Sequence, residues 1–231
     1  SVDAVRWEKS KTILEGTPLN QLHDMIIFRD GGLYLGLIGC MNYPSAKSRD
    51  GVRQHIELAW SPDSYTWHRV SPGTPLIGHS PAKGRKYGKM PYDWGAIFPA
   101  APVFVEDEIR IYYGASDWYF FDWRKGGLAM ATLGKDRWAG YVQQDKKRPA
   151  ILTTVPVSLK GKVFVMADIE GSMTVSLIDS EGGVIAVSNP VSENCTGHAL
   201  SWDREFNPEK RKGVRLRFKL DRAMIYSFSL K

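Results

Sequence analysis

Two aspartates stand before similar apolar stretches: Asp24 leads into Met25-Ile26-Ile27-Phe28, and Asp93 leads into Trp94-Gly95-Ala96-Ile97-Phe98. Paired carboxylates suit acid/base chemistry. Glycoside cleavage needs two of them, one to protonate the leaving oxygen and one to act as nucleophile or to activate water, at about 5–5.5 Å for retention or 6.5–9.5 Å for inversion. Glu57, in the alternating stretch His55-Ile56-Glu57-Leu58-Ala59-Trp60, is a weaker third candidate. His23, beside Asp24, suits a sugar contact or an acid/base group. Aromatic residues gather after the second aspartate, with Trp94, Tyr112, Tyr113 and the run Asp117-Trp118-Tyr119-Phe120-Phe121-Asp122-Trp123-Arg124. A flat ring covers the apolar face of a pyranose, and an adjacent carboxylate accepts from its hydroxyls. Trp94, Tyr113, Asp117 and Trp118 therefore join His23 as candidate substrate contacts.

Each of these has a structural alternative. An Asp ahead of a strand serves equally as a turn acceptor or as partner to a nearby Arg or Lys. A lone His is commonly a surface or satisfied core residue, and consecutive large aromatics are costly to leave in water, so the alternative for the loop is packing over the propeller or against the sandwich that the strand patterns predict.

The elements that must position these residues repeat. Ser61-Pro62-Asp63-Ser64-Tyr65-Thr66-Trp67 has the same Ser-x-Asp-x-x-x-Trp form as Ser1-Val2-Asp3-Ala4-Val5-Arg6-Trp7, and Leu133-Gly134-Lys135-Asp136-Arg137-Trp138 is a looser copy. Ser and Asp two apart accept backbone hydrogen bonds in a hairpin turn, and the Trp anchors the returning strand, so Asp3 and Asp63 are turn residues. In step with this runs a second pattern: an Asp-headed strand, a turn, an aromatic strand ending in Gly, a long excursion, a third strand, the Asp/Trp turn and a fourth strand. Four strands per unit, repeated, predict β-propeller blades. The recurrence of Trp7, Trp67 and Trp138 is longer than the roughly 40–45 residues of WD40 repeats, which implies long loops. Residues 1–15 hold only a closing turn and last strand, 20–77 one complete unit and 93–143 another. A closed ring needs more blades, so the expectation is that the chain is the C-terminal part of a longer protein, that a partner or second copy completes the ring, or that the ring is cut down to an arc.

After the polar linker Gln143-Gln144-Asp145-Lys146-Lys147-Arg148-Pro149 the pattern changes. Residues 151–157, 162–168, 172–179, 184–187, 214–220 and 223–230 alternate apolar and polar side chains, with turn signals at Lys160-Gly161 and Glu181-Gly182-Gly183. Period-2 strands of this kind predict a β-sandwich over 150–231, following a propeller portion over 1–145. It carries no catalytic constellation: His198, Asp203 and Cys195 form no recognisable triad or metal set.

The arrangement resembles the C-terminal half of bacterial five-bladed propeller proteins related to the fructosidase and arabinanase class of glycoside hydrolases, with an appended β-sandwich. The residues carrying the resemblance are Gly31-Gly32-Leu33-Tyr34-Leu35-Gly36-Leu37, His55 to Asp63 with Trp67, Glu108-Ile109-Arg110-Ile111-Tyr112-Tyr113-Gly114, Gly127 to Leu133 and Ala139-Gly140-Tyr141, with Val214 to Phe218 and Tyr226-Ser227-Phe228 in the sandwich. These motifs are mainly structural. The resemblance implies an all-β fold in which innermost strands line a funnel bearing the catalytic carboxylates, here Asp24 and Asp93 facing one another, with carbohydrate as substrate. The alternative is a non-catalytic carbohydrate- or protein-binding module.

Composition bounds these readings. The 231 residues carry net charge +6 and are 43% hydrophobic and 12% aromatic, with 22 Gly and 13 Pro, the profile of an ordinary soluble protein built from short strands and tight turns. No apolar run approaches the roughly 20 residues of a spanning helix. The opening residues lack the apolar core and cleavage site of a signal peptide, which leaves the compartment open, a periplasmic or secreted location included. Cys40 and Cys195 cannot build a disulfide scaffold and have no metal-site spacing, so no metal and no cofactor are expected. The basic loop Lys83, Arg85, Lys86, Lys89 comes without a nucleic-acid motif, and neither nucleic acid nor membrane is an expected partner.

Overall fold

The computed structural model describes residues 3–7, 10–159, 161–206 and 213–231; Ser1 of the first turn motif and Lys160 of the predicted Lys160-Gly161 turn lie outside them. The described residues form an all-β protein without a helix, arranged as three antiparallel sheets. The chain divides into two compact units, Ser1–Lys135 and Asp136–Lys231.

In the first unit, β1 (Asn20–Asp30), β2 (Leu33–Asn42), β3 (Arg53–Ser61) and β4 (His68–Arg69) run as an antiparallel meander in sequence order. Gly31 and Gly32, both at positive φ, make the tight β1–β2 turn at no steric cost. From Leu35 to Met41 every residue of β2 is buried, as is every residue of β3 from Gln54 to Ala59, because these central strands are covered on both faces. Gly36 leaves room for the Met25 side chain and the Trp67 ring. Trp67 thereby anchors β4 in a cluster with Ile38, Cys40 and Ala59.

The turn before it has the form its residues predict. Ser61 Oγ accepts from the backbone N–H of Asp63 and Ser64, Asp63 Oδ1 accepts from those of Tyr65 and Thr66, and Trp67 Nε1 donates to the Ser64 carbonyl. The Asp3 copy is the same: its Oδ1 accepts from Val5 and Arg6, and Trp7 donates to Ala4. Ser64 and Ala4, each three residues before its Trp, share a positive φ.

The second sheet departs from the blade pattern. β5 (Ile97–Pro99) and β6 (Val103–Val105) pair with different parts of β7 (Glu108–Ser116), so they are two pieces of one interrupted strand, and β8 (Gly126–Gly134) lies on the other side of β7. The strand expected as the fourth, β9 (Tyr141–Val142), pairs instead with β14 in the second unit, and no strand is formed among the described residues before the Thr17–Asn20 bridge. Topology alone therefore does not define propeller blades. Among the described residues a parallel bridge, Gln54 to Ala96, joins the two sheets of the unit, with Gln54 Nε2 also donating to the Ile97 carbonyl.

The second unit is one six-stranded sheet. The stretches 162–168 and 172–179, read as separate strands, are a single strand β11 (Val163–Ile178), and 214–220 with 223–230 form β14 (Arg215–Leu230). Glu170 and Gly171 oppose the single Arg222 in their register, a bulge that bends both strands without ending them. β10 (Ala150–Thr153), β12 (Val184–Val187) and β13 (Cys195–Ala199) flank this long pair. Inward residues Val163, Val165, Ala167, Ile169, Met173, Val175 and Leu177 of β11 meet Leu216, Phe218, Leu220, Ala223 and Ile225 of β14 in one core. The change of parity between Leu220 and Ala223 is the bulge at Arg222, which has positive φ.

Candidate functional site

Asp24 lies inside β1 and not at its head, paired with Gly39 of β2. His23 is the extra residue of a bulge: Leu22 pairs with Cys40 and Asp24 with Gly39, leaving His23 unpaired in the ladder. A bulge of this kind re-aims neighbouring side chains. His23 is exposed and meets the Phe120 ring edge-on at 5.3 Å, with Nδ1 3.6 Å from Asp24 Oδ1. The Asp24 carboxylate fills the space that a Cβ on Gly39 would need, next to the Gln54 amide. Its Oδ1 is buried without a hydrogen-bond partner although a third of the side chain is exposed. Burial pushes the Asp24 carboxyl above the ordinary aspartate range, outweighing the opposing pull of His23.

Asp93 occupies a turn ahead of β5, so it is not structurally equivalent to Asp24. It is buried, and its Oδ1 also lacks a partner. Tyr113, on β7, is buried as well; burial raises its hydroxyl pKa, and the neighbouring Tyr92 and Asp93 add to the effect. Trp94 is 7% exposed and packs against Trp118 and Tyr119 with ring centroids 5.5 and 5.1 Å away. Gly95 is required here, since a Cβ would collide with the Trp118 carbonyl. The aromatic run is a strand-to-strand loop closed by Asp117, whose N–H donates to the Lys125 carbonyl and whose Oδ1 accepts from Lys125 N–H. The loop is tied to the first sheet by the Phe120 N–H, which donates to Val52 O.

Glu57 is 1% exposed and sits in a closed ring of hydrogen bonds. Arg69 can only donate, so Asn20 Oδ1 accepts from it, Asn20 Nδ2 donates to Asn42 Oδ1, and Asn42 Nδ2 donates to His55 Nδ1. The remaining His55 nitrogen, Nε2, then donates to Glu57 Oε1 at 2.9 Å, and Arg69 returns to Glu57 Oε2 through Nε and Nη2. The Gly73 N–H completes the carboxylate's shell. Burial pushes the Glu57 carboxyl up, but hydrogen bonds from His55, Arg69 and Gly73 with the Arg69 charge hold it below the ordinary glutamate range. Donor atoms of Cys40, His55 and Glu57 lie within 4.8 Å of one another, a set that suits a metal ion. The Arg69 guanidinium already stands there, 3.9 Å from Cys40 Sγ, and supplies the positive charge.

The structure thus groups His23 and Asp24 with Phe120 of the aromatic loop, and Trp94 with Trp118, Tyr119 and the closing Asp117. It withdraws Glu57 into a sealed network. Sequence reading passes over Gln54, Gly39 and Arg53. Gln54 is fully buried, its Nε2 donates to Ile97 O and its Oε1 has no partner; a polar residue at an inward position of β3 is the signal that marks it. Arg53 lies over the Trp94 ring at 4.8 Å.

No family model matches the sequence, and no curated protein matches it. Among solved structures, a BT0996 RGII complex is similar, with TM-score 0.38 and 16% identity over 52% of this chain and 35% of that one. Zg3597, a family 117 glycoside hydrolase of the marine bacterium Zobellia galactanivorans, has TM-score 0.33 and 18% identity over 87% of this chain and 61% of its own. A Bombyx mori family 32 β-fructofuranosidase, solved as a mutant in complex with sucrose, has TM-score 0.24 and 9% identity over 90% and 65%. The chain therefore spans less than two thirds of each of these structures, and its likeness to glycoside hydrolases is distant.

Proposed function

We propose that the first unit is a glycoside-hydrolase-like, carbohydrate-processing module in which Asp24 is the proton-donating carboxyl, Asp93 the second carboxylate, and His23 and Trp118 contact the sugar. The observation that carries this reading is the Asp24 carboxyl: part-exposed, beside His23, with one unpartnered oxygen and a pKa raised by burial. A glycosidic general acid needs a raised carboxyl pKa, and burial moves Asp24 in that direction. The unpartnered Asp93 Oδ1 supports the second role. On this reading β1–β4 is a blade of a propeller portion spanning 1–145, and the sheet of 150–231, coiled at its bulge, is the appended sandwich.

The test is hydrolysis of a panel of oligosaccharides by wild type, Asp24→Asn and Asp93→Asn. Each substitution is expected to lower kcat by about 10²-fold or more while sugar binding persists. Absence of turnover of any sugar bound by the wild type would sink the catalytic role.

A second reading, a non-catalytic carbohydrate-binding module, is favoured by how many of the candidate groups are already engaged: Glu57 by its ring, Asp117 by Lys125, Trp94 by its aromatic neighbours. It predicts glycan binding without turnover, unchanged by Asp93→Asn.

A further inference from the structure

The aromatic loop of the first unit is surrounded by arginines. Arg49 lies over the Phe121 ring at 5.1 Å, Arg53 over Trp94 at 4.8 Å and Arg124 over Phe120 at 5.4 Å. Arg85 Nη1 donates to the Tyr119 hydroxyl at 2.6 Å, and the loop that carries it also sets Tyr87 edge-on against Trp118. Among the described residues none of these four guanidiniums has a carboxylate within ion-pair distance. Burial pulls the Arg53 pKa down, against an opposing pull from Tyr119, and the Arg85 charge adds a smaller lowering. Lys83, Lys86 and Lys89 stand exposed on the same loop as Arg85 and add to the positive field. Arg49 and Arg85 are exposed, the first over the Phe121 ring and the second on the Tyr119 hydroxyl, so each is held in place with N–H edges left to meet a two-oxygen acceptor.

Resting on the carbohydrate reading above, we propose that this loop selects anionic sugars, those bearing a carboxylate or a sulfate, with Arg49 and Arg85 as specificity-determining contacts. Nucleic acid, the other polyanion that arginines bind, is tested separately with oligo-dT.

The full chain is titrated calorimetrically with an oligogalacturonate, a sulfated galactan oligomer, a neutral galactan oligomer and oligo-dT, at two salt concentrations. The expected result is binding of an anionic oligomer at least about tenfold tighter than the neutral one, weakened by salt, and about tenfold weaker in Arg49→Ala or Arg85→Ala. Whether the uronate or the sulfate arm dominates identifies the acidic group. Equal affinity for neutral and anionic oligomers overturns the proposal while leaving carbohydrate binding intact. So does an anionic preference untouched by both substitutions, or tighter binding of oligo-dT. Binding of no oligosaccharide overturns the proposal and the carbohydrate reading together, and arginine-dependent binding without turnover removes only the catalytic role.

Discussion

Arg69 on β4 grips Glu57 on β3 through two nitrogens, Nε at 3.0 Å and Nη2 at 2.5 Å, both to Oε2, with the guanidinium side chain 10% and the carboxylate 1% exposed. The shortest strand of the first sheet, two residues long, is thus held by a buried charge pair as well as by Trp67. Removing one partner leaves the other charge buried and uncompensated. Glu57→Ala is expected to destabilise the first unit by about 3–5 kcal/mol, measured by urea unfolding. A loss below about 1 kcal/mol would show the pair to be dispensable. Loss of stability, not a selective fall in turnover, is the signature expected of this residue.

His79 donates through Nε2 to the Gln54 carbonyl, and burial, aided by the Arg53 charge, lowers its pKa from 6.5 to about 4. Between those values the unfolded chain binds a proton that the folded chain refuses. Its contribution is therefore fully present above pH 6.5 and lost as pH falls toward 4, by up to about 3 kcal/mol. His79→Gln, which keeps a donor, should flatten that slope in chemical denaturation curves run from about pH 7 to 4. An unchanged slope would count against it. Glu57 acts in a lower window, since its depressed pKa keeps its contribution intact above the ordinary 4.5.

Asp24 has the opposite sign. Its folded pKa is raised, so its contribution is fully present below 3.8 and lost as pH rises through the folded value. Asp24→Asn should match wild-type stability near about pH 3 and exceed it at about pH 7, by less than about 1 kcal/mol because water screens a carboxylate that is a third exposed. A thermal-shift series across pH measures this, and a variant less stable than wild type at neutral pH would contradict it.

Gly95 is where the aromatic loop meets the backbone before β5. A Cβ there collides with main-chain atoms of Trp118, which cannot swing aside as a side-chain tip could. Gly95→Ala is expected to cost about 3 kcal/mol or more and to free the loop, seen as increased tryptophan exposure to acrylamide. Native quenching and stability would refute the close approach.

Local chemistry made part of the fold legible. The Ser61-Pro62-Asp63 turn with Trp67 could be read because all its partners lie within a few residues, and the alternation of β11 and β14 because period 2 is a property of the chain itself. The breaks at 169–171 and 221–222 are not strand ends, because a bulge and a turn place the same Gly and polar residues in sequence. The interruption between β5 and β6 and the capture of β9 by β14 depend on which edge a strand finds, which no local pattern records.

For the candidate site the division is sharper. Residue pattern was enough to place Asp24, Asp93, Glu57 and the Trp118 run on or beside strands of an all-β protein. Their chemical states were set by long-range packing. A one-residue bulge at His23 and the missing Cβ of Gly39 admit the Asp24 carboxyl to a half-buried place, whereas Asn20, Asn42, His55 and Arg69, distant in sequence, close around Glu57. The reason is physical: a carboxylate's reactivity depends on the water it loses and the donors it gains, and both are set by neighbours that the chain brings together only on folding.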